Sequence, residues 1–254
     1  MLKILALHSV APIQEKASIL AKLKQDILLQ QCSHAGKQQK STVDLGGLNN
    51  AFPQGSFPIG ALHEFHAFTL ESHAASMGFL SGILGSLTAV AGTVLWITAT
   101  QNMHPPALTA FCIAPERVVF IHLKKEKELQ WAVEEALKCS ALTAVVAEMQ
   151  SLDFTTSRKL QLATEGSGVT GFIVRRNARA IGTTACAARW KISPVPSIAE
   201  NGLPGLGFPR WNVELLKVRN GKAGTWQMEW AAGSFREALP VQETKFSPLH
   251  KIAV

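Results

Sequence analysis

Thr93-Val94-Leu95-Trp96-Ile97-Thr98 is an unbroken run of apolar and β-branched side chains. No polar residue alternates within it, so neither face is designed for water, and such a run suits a strand covered on both faces of a parallel sheet. Residues 118–123, 144–147 and 171–174 repeat the pattern. Between them lie two helical stretches. Residues 126–140 place Leu129, Val133, Ala136 and Leu137 on one side and Glu134 and Lys138 on the other, and residues 155–167 form the next helix. Strand and helix alternating at this spacing imply right-handed crossovers and a parallel sheet. Upstream, a turn-rich stretch with Gly46, Gly47, Pro53, Gly55, Pro58 and Gly60 leads into a short strand at 61–65. Residues 72–90 then combine Ala74, Ala75, Gly78, Gly82 and Gly85 into a helix whose small side chains allow close packing on the sheet.

The C-terminal third reads differently. Residues 187–192, 210–219 and 226–230 are strands, the last two joined through Asn220-Gly221, a strong hairpin signal. The fold expected is therefore α/β: a mostly parallel twisted sheet flanked by helices, with a C-terminal antiparallel extension. At the other end, Ile13, Ala17, Leu20, Leu23 and Ile27 recur at helical steps, and residues 33–40 are a polar linker. The organisation expected is an N-terminal amphipathic helix and linker at 1–40, the α/β domain at 41–231 and a flexible tail at 232–254.

With 254 residues, 47% apolar, the chain can bury a sizeable core, which excludes a disordered or low-complexity protein. Its 25 basic and 18 acidic side chains are unevenly placed: residues 1–150 hold 11 of each, whereas residues 151–254 hold 14 basic and 7 acidic. That excess favours an acidic partner, whether nucleic acid, protein or membrane surface. Cys32, Cys112, Cys139 and Cys186 are scattered without disulfide or zinc spacing, and the N-terminal apolar run is short for a signal peptide, so a cytoplasmic protein without a membrane segment is expected.

Four separated segments carry a family resemblance: Phe57-Pro58-Ile59-Gly60-Ala61-Leu62-His63-Glu64, Trp131-Ala132-Val133-Glu134-Glu135-Ala136-Leu137, residues 152–163 from Leu152-Asp153-Phe154 to Leu162-Ala163, and Pro204-Gly205-Leu206-Gly207-Phe208-Pro209-Arg210-Trp211. In this order they resemble the ImuA family, RecA-like accessory proteins of mutagenic repair, with similarity running from about Val43 to about Trp230. Phe57 stands where the family more often has leucine. The resemblance implies a RecA-like core and a role in SOS-induced, error-prone translesion DNA synthesis. It also implies three partners: an ImuB-like Y-family polymerase homologue lacking polymerase activity, RecA, and a DnaE-type polymerase.

A working phosphate loop needs G-x-x-x-x-G-K-[ST], because backbone N–H groups wrap the phosphates, the lysine reaches the β and γ groups, and the hydroxyl holds magnesium. In register with the recombinase, this chain has Ala67-Phe68-Thr69-Leu70-Glu71-Ser72-His73-Ala74. Both glycines are missing, His73 takes the lysine position, Ala74 the hydroxyl position, and Glu71 adds negative charge. The strand-end acid survives as Glu148, while the catalytic carboxylate falls near Thr100 and Gln101, which cannot act as a base. A pseudo-ATPase with no cofactor is therefore expected. Its degenerate nucleotide site comprises Glu71, Ser72, His73, Ala74 and Glu148.

His63, Glu64, His66 and His73 are read as ordinary histidines and an acid rather than metal ligands, since His63 and His66 fall on opposite faces of a strand. Trp131 is expected in the core. Arg175, Arg176, Arg179, Arg189 and Lys191 follow or flank the fourth of these strands, where the resemblance places a DNA-contacting loop. Two readings stand for them: phosphate contacts to single-stranded DNA, or a solvated basic loop. The function expected is a non-catalytic RecA-like adaptor linking a polymerase complex to RecA or single-stranded DNA. The alternatives are a nucleotide-binding recombinase paralogue and a SulA-like cell-division inhibitor.

Overall fold

The computed structural model of the chain describes residues 43–89, 92–100, 103–176, 182–198 and 207–238. The chain divides between residues 40 and 41, and every described residue belongs to the second unit. The amphipathic helix expected at 12–31, its linker, and residues 239–254 of the expected tail lie outside the described residues.

The described elements are β1 (Leu62–Ala67), α1 (Leu70–Thr88), β2 (Val94–Thr98), β3 (Val118–His122), α2 (Glu126–Lys138), β4 (Ala144–Met149), α3 (Phe154–Ser167), β5 (Thr170–Arg176), β6 (Ala188–Val195), β7 (Arg210–Val218), β8 (Gly224–Ala231) and β9 (Ser234–Glu237). All nine strands form one sheet in the order β3-β2-β4-β5-β1-β6-β7-β8-β9. Strands β3 to β6 in that order are parallel, and β6 to β9 run antiparallel.

Both faces of the parallel strands are covered, which is why their sequences do not alternate. In β4, Ala144 and Val146 join Phe65, Phe172 and Trp190 beneath α1, where Phe79, Leu80, Ile83 and Leu84 are fully buried. The intervening Val145 and Ala147 face the opposite side with Leu62, Ile97 and Ile173, under Leu129, Val133 and Leu137 of α2 and Leu160 of α3. Helix α1 also spans the junction to the extension, since Trp211, Val213, Met228, Trp230 and Phe235 belong to the same core as Phe79 and Trp190.

Two expectations are corrected. The tail does not begin at residue 232, because Ser234–Glu237 adds β9 to the sheet; Phe235 enters the core against Trp230 and Phe79, with ring centroids 4.9 Å away in each case. Trp131 is not in the core: it lies on the outer side of α2 and is 67% exposed. Its position two residues after the buried Leu129 turns it away from the stripe that faces the sheet. The expected hairpin through Asn220-Gly221 is present: β7 and β8 pair antiparallel across a connection of residues 219–223, with Asn220 at φ 57° and Lys222 donating its backbone N–H to Ala51 O at 2.8 Å. Among the described residues no helix is long and apolar enough to cross a membrane.

Candidate functional site

In a parallel sheet the crevice for ligands lies beyond the C-terminal ends of the strands. Here the ends of β1, β2, β4 and β5 and the start of α1 meet at that edge. After β1 the chain turns directly into α1, whose first turn is closed by its own side chains: Thr69 Oγ1 accepts from Ser72 N at 3.2 Å, and Ser72 Oγ accepts from Thr69 N at 2.9 Å. This capping box occupies backbone N–H groups that a phosphate loop turns toward its ligand. Glu71 and Ala74 are exposed beside it. The Thr69 hydroxyl, bonding to Glu71, holds that carboxyl below its ordinary range and so keeps it charged.

His73 points across the crevice. Its Nε2 lies 3.2 Å from Glu148 Oε2 on β4, and Arg176 Nη1 at the end of β5 lies 3.7 Å from the same oxygen. Arg176 also donates to Thr100 Oγ1, just past β2, at 2.9 Å. His73 and Glu148, expected from the sequence at the lysine and acid positions of a nucleotide site, are thus joined to each other. A triphosphate does not fit this donor set: the Thr69 and Ser72 N–H groups are capped, Glu71 and Glu148 repel phosphate, and His73 and Arg176 are both engaged by one carboxylate oxygen. Gln101 lies outside the described residues.

A second cluster sits deeper. Glu64, wholly buried in β1, receives Arg175 Nη1 from β5 at 3.1 Å on Oε1. On Oε2 it takes the Thr184 hydroxyl at 2.6 Å and lies 3.3 Å from Arg189 Nε of β6. Arg189 Nε also donates to Thr184 Oγ1 at 3.1 Å. His66 Nε2 is 3.4 Å from Glu64 Oε1, and burial holds this imidazole below its ordinary pKa, helped by the two arginines and opposed by Glu64. Two guanidinium groups on one carboxylate offset its desolvation, and removing one partner from such a set costs about 3–5 kcal/mol.

The five basic residues named from the sequence are therefore not one surface. Arg175 and Arg189 are buried on Glu64; Arg176 is half-buried on Glu148; Lys191 is partly exposed and 2.8 Å from Glu214; Arg179 lies outside the described residues. The hub Glu64 was the residue that sequence reasoning underrated. Its signal was present: an acid inside a core strand needs cations, and Arg175 and Arg189 lie on the two strands that flank β1. His63, on the other face of β1, stacks on Phe57 at 4.6 Å in the apolar core. Among the described residues no group of three or more His, Cys, Asp or Glu is arranged to hold a metal ion.

No known protein-family profile matches the chain. It is 31% identical over 194 residues to Protein ImuA of Caulobacter vibrioides, in two strains, an alignment that covers 72% of this chain and 80% of the relative. The chain belongs to the ImuA family. The crystal structure of the RadB recombinase superimposes with a TM-score of 0.53 at 13% identity, covering 73% of this chain and 94% of that one. The fold of this ImuA-family chain is thus RecA-like, as the four sequence segments imply, and the family assigns it an accessory role in error-prone repair.

Proposed function

We propose that this ImuA-family chain is a non-catalytic, cytoplasmic RecA-like adaptor in SOS-induced translesion synthesis. It links a polymerase complex, containing an ImuB-like polymerase homologue and a DnaE-type polymerase, to RecA or to single-stranded DNA. The observation that carries the non-catalytic reading is the bridge from His73 to Glu148, 3.2 Å across the place where a triphosphate and its magnesium would sit. A lysine there is worth its charge only if it is free to meet phosphate, and an acid only if it is free to hold the metal. With both engaged, and with Thr100 past the strand where a base belongs, the edge of the sheet is suited to protein contact rather than turnover.

The expected outcome is phosphate release from ATP no faster than that of a His73→Ala control. Immobilised protein should retain the ImuB-like partner. Turnover well above the control would overturn the pseudo-ATPase reading. Failure to retain the ImuB-like protein, together with no effect on RecA filaments, would overturn the adaptor reading.

A further inference from the structure

The basic excess of the C-terminal part has a second address. Phe154 and Arg158, one turn apart on α3, border a cleft of about 290 Å³ against β7 and the segment leading into β6. Its rim is formed by Phe154, Arg158, Lys217 and Arg219, and its floor by Thr184 and Cys186, which are buried. Arg219 is already engaged, with Nη1 3.3 Å from Glu165 Oε1 and Nη2 donating to Ala185 O at 3.0 Å. Among the described residues no carboxylate lies within ion-pair distance of Arg158 or Lys217, so the opening carries a surplus of positive charge. Beside them Phe154 is 55% exposed, a large apolar ring held in water. The Cys186 thiol is pushed up to about 12, first by burial and then by Glu64, so the floor is neutral and offers no nucleophile.

Free cations beside an exposed aromatic face define a ligand with separated negative charges and a flat, unpaired surface. A simple phosphate would leave the ring unused, and a duplex keeps its base faces stacked inside. We propose that this cleft holds single-stranded nucleic acid, with phosphates on Arg158 and Lys217 and a base stacked on Phe154. The proposal rests on the reading that the adaptor touches single-stranded DNA directly, but it moves that contact away from Arg175 and Arg189, whose charge is spent on Glu64.

The test is fluorescence anisotropy of a labelled oligothymidylate with the full chain across a salt series. The double variant Arg158→Ala/Lys217→Ala should reduce the slope of log K against log salt by about 1.4, at roughly 0.7 per lost phosphate contact on a single strand. Phe154→Leu should weaken binding about ten-fold at every salt concentration and leave the slope unchanged. All three side chains are exposed, and unchanged thermal melts would confirm that the variants fold. If these variants bind like the unaltered chain while Arg176→Ala/Lys191→Ala binds weakly, the cleft is overturned and direct DNA contact stands. If the unaltered chain does not bind the oligothymidylate, both fall, whereas retention of the ImuB-like partner still decides the adaptor reading. If a glutamate-rich peptide binds with the same variant sensitivity and the oligonucleotide does not, the cleft is a protein surface and the proposal is overturned.

Discussion

The ring of His63 is caught between two partners that fix its tautomer. Trp190 Nε1 donates to Nδ1 at 3.4 Å, which leaves Nε2 to donate to Pro58 O at 2.7 Å. A second proton on Nδ1 would oppose the indole N–H in a site stacked between Phe57 and Phe172. Burial accordingly lowers the pKa from 6.5 to about 4, against the smaller opposing pull of the Pro58 carbonyl. In the unfolded chain the ring charges below its ordinary value, whereas in the folded chain it stays neutral, so the unfolded state binds more protons between these limits. The stability linked to His63 is therefore complete above about pH 6.5, falls as the pH drops toward 4, and levels off below that, by about 3 kcal/mol in all. His66 is lowered in the same direction and steepens the same window. His63→Gln keeps a donor and an acceptor but cannot titrate. Urea unfolding of this variant between roughly pH 7 and pH 4.5 should show a shallower loss of stability than the unaltered chain; parallel curves would refute the assignment.

Helix α1 is built from residues chosen for what they lack. A Cβ added at Gly85 would stand 2.1 Å from the backbone oxygen of Phe111, in the 3-10 turn formed by Pro105–Phe111, and one at Gly82 would stand 2.5 Å from the Phe235 ring. On an exposed helix Gly→Ala stabilises by about 1 kcal/mol. Here the sign reverses, because a carbonyl of the main chain cannot rotate aside as a side chain can. Gly85→Ala is expected to destabilise by about 1–3 kcal/mol, the range of overpacking, and a denaturant midpoint at or above that of the unaltered chain would contradict it. The small residues of α1 and the unbroken apolar runs of β2 and β4 were legible in the sequence because burial on two faces leaves a composition that admits little else. Trp131 reads as core by apolarity alone, but the helical phase of Leu129 and Val133, itself legible in the sequence, turns it outward. The absence of a phosphate-loop motif from Ala67 to Ala74 was legible in the sequence itself. That His73 and Glu148 had acquired each other was not, because nothing in a sequence links two residues 75 positions apart without a register between strands. Likewise Arg175 and Arg189 announced their charge but not its direction, which only the parallel register on either side of β1 supplies.

At the scale of the molecule, α1 makes one body of two unlike halves of the sheet. Its inward side meets Trp190 on the parallel part and Trp211 and Phe235 on the antiparallel part, so the extension is a wall of the main core. The last strand, Ser234-Phe235-Arg236-Glu237, is short, and three of its four residues are exposed, which is why it reads as tail: one aromatic residue between polar neighbours gives a period-2 pattern too brief to register. Its backbone nevertheless pairs with β8 from Met228 to Ala231, and Ala238 N donates to Gln227 O at 2.8 Å. Phe235 lies 4.9 Å from the rings of both Phe79 and Trp230. Removing a buried phenylalanine of this kind costs about 3–5 kcal/mol, a large part of the roughly 5–15 kcal/mol that holds a domain folded. A chain ending at residue 231 should therefore unfold at clearly lower urea than one ending at residue 238, and Phe235→Ala in the longer chain should reproduce most of the difference. Because Trp211 and Trp230 border the vacated space, the shorter chain should also lose near-ultraviolet circular dichroism before its far-ultraviolet signal. Coincident midpoints for the two chains would mean that β9 is an appendage and that the core closes without it.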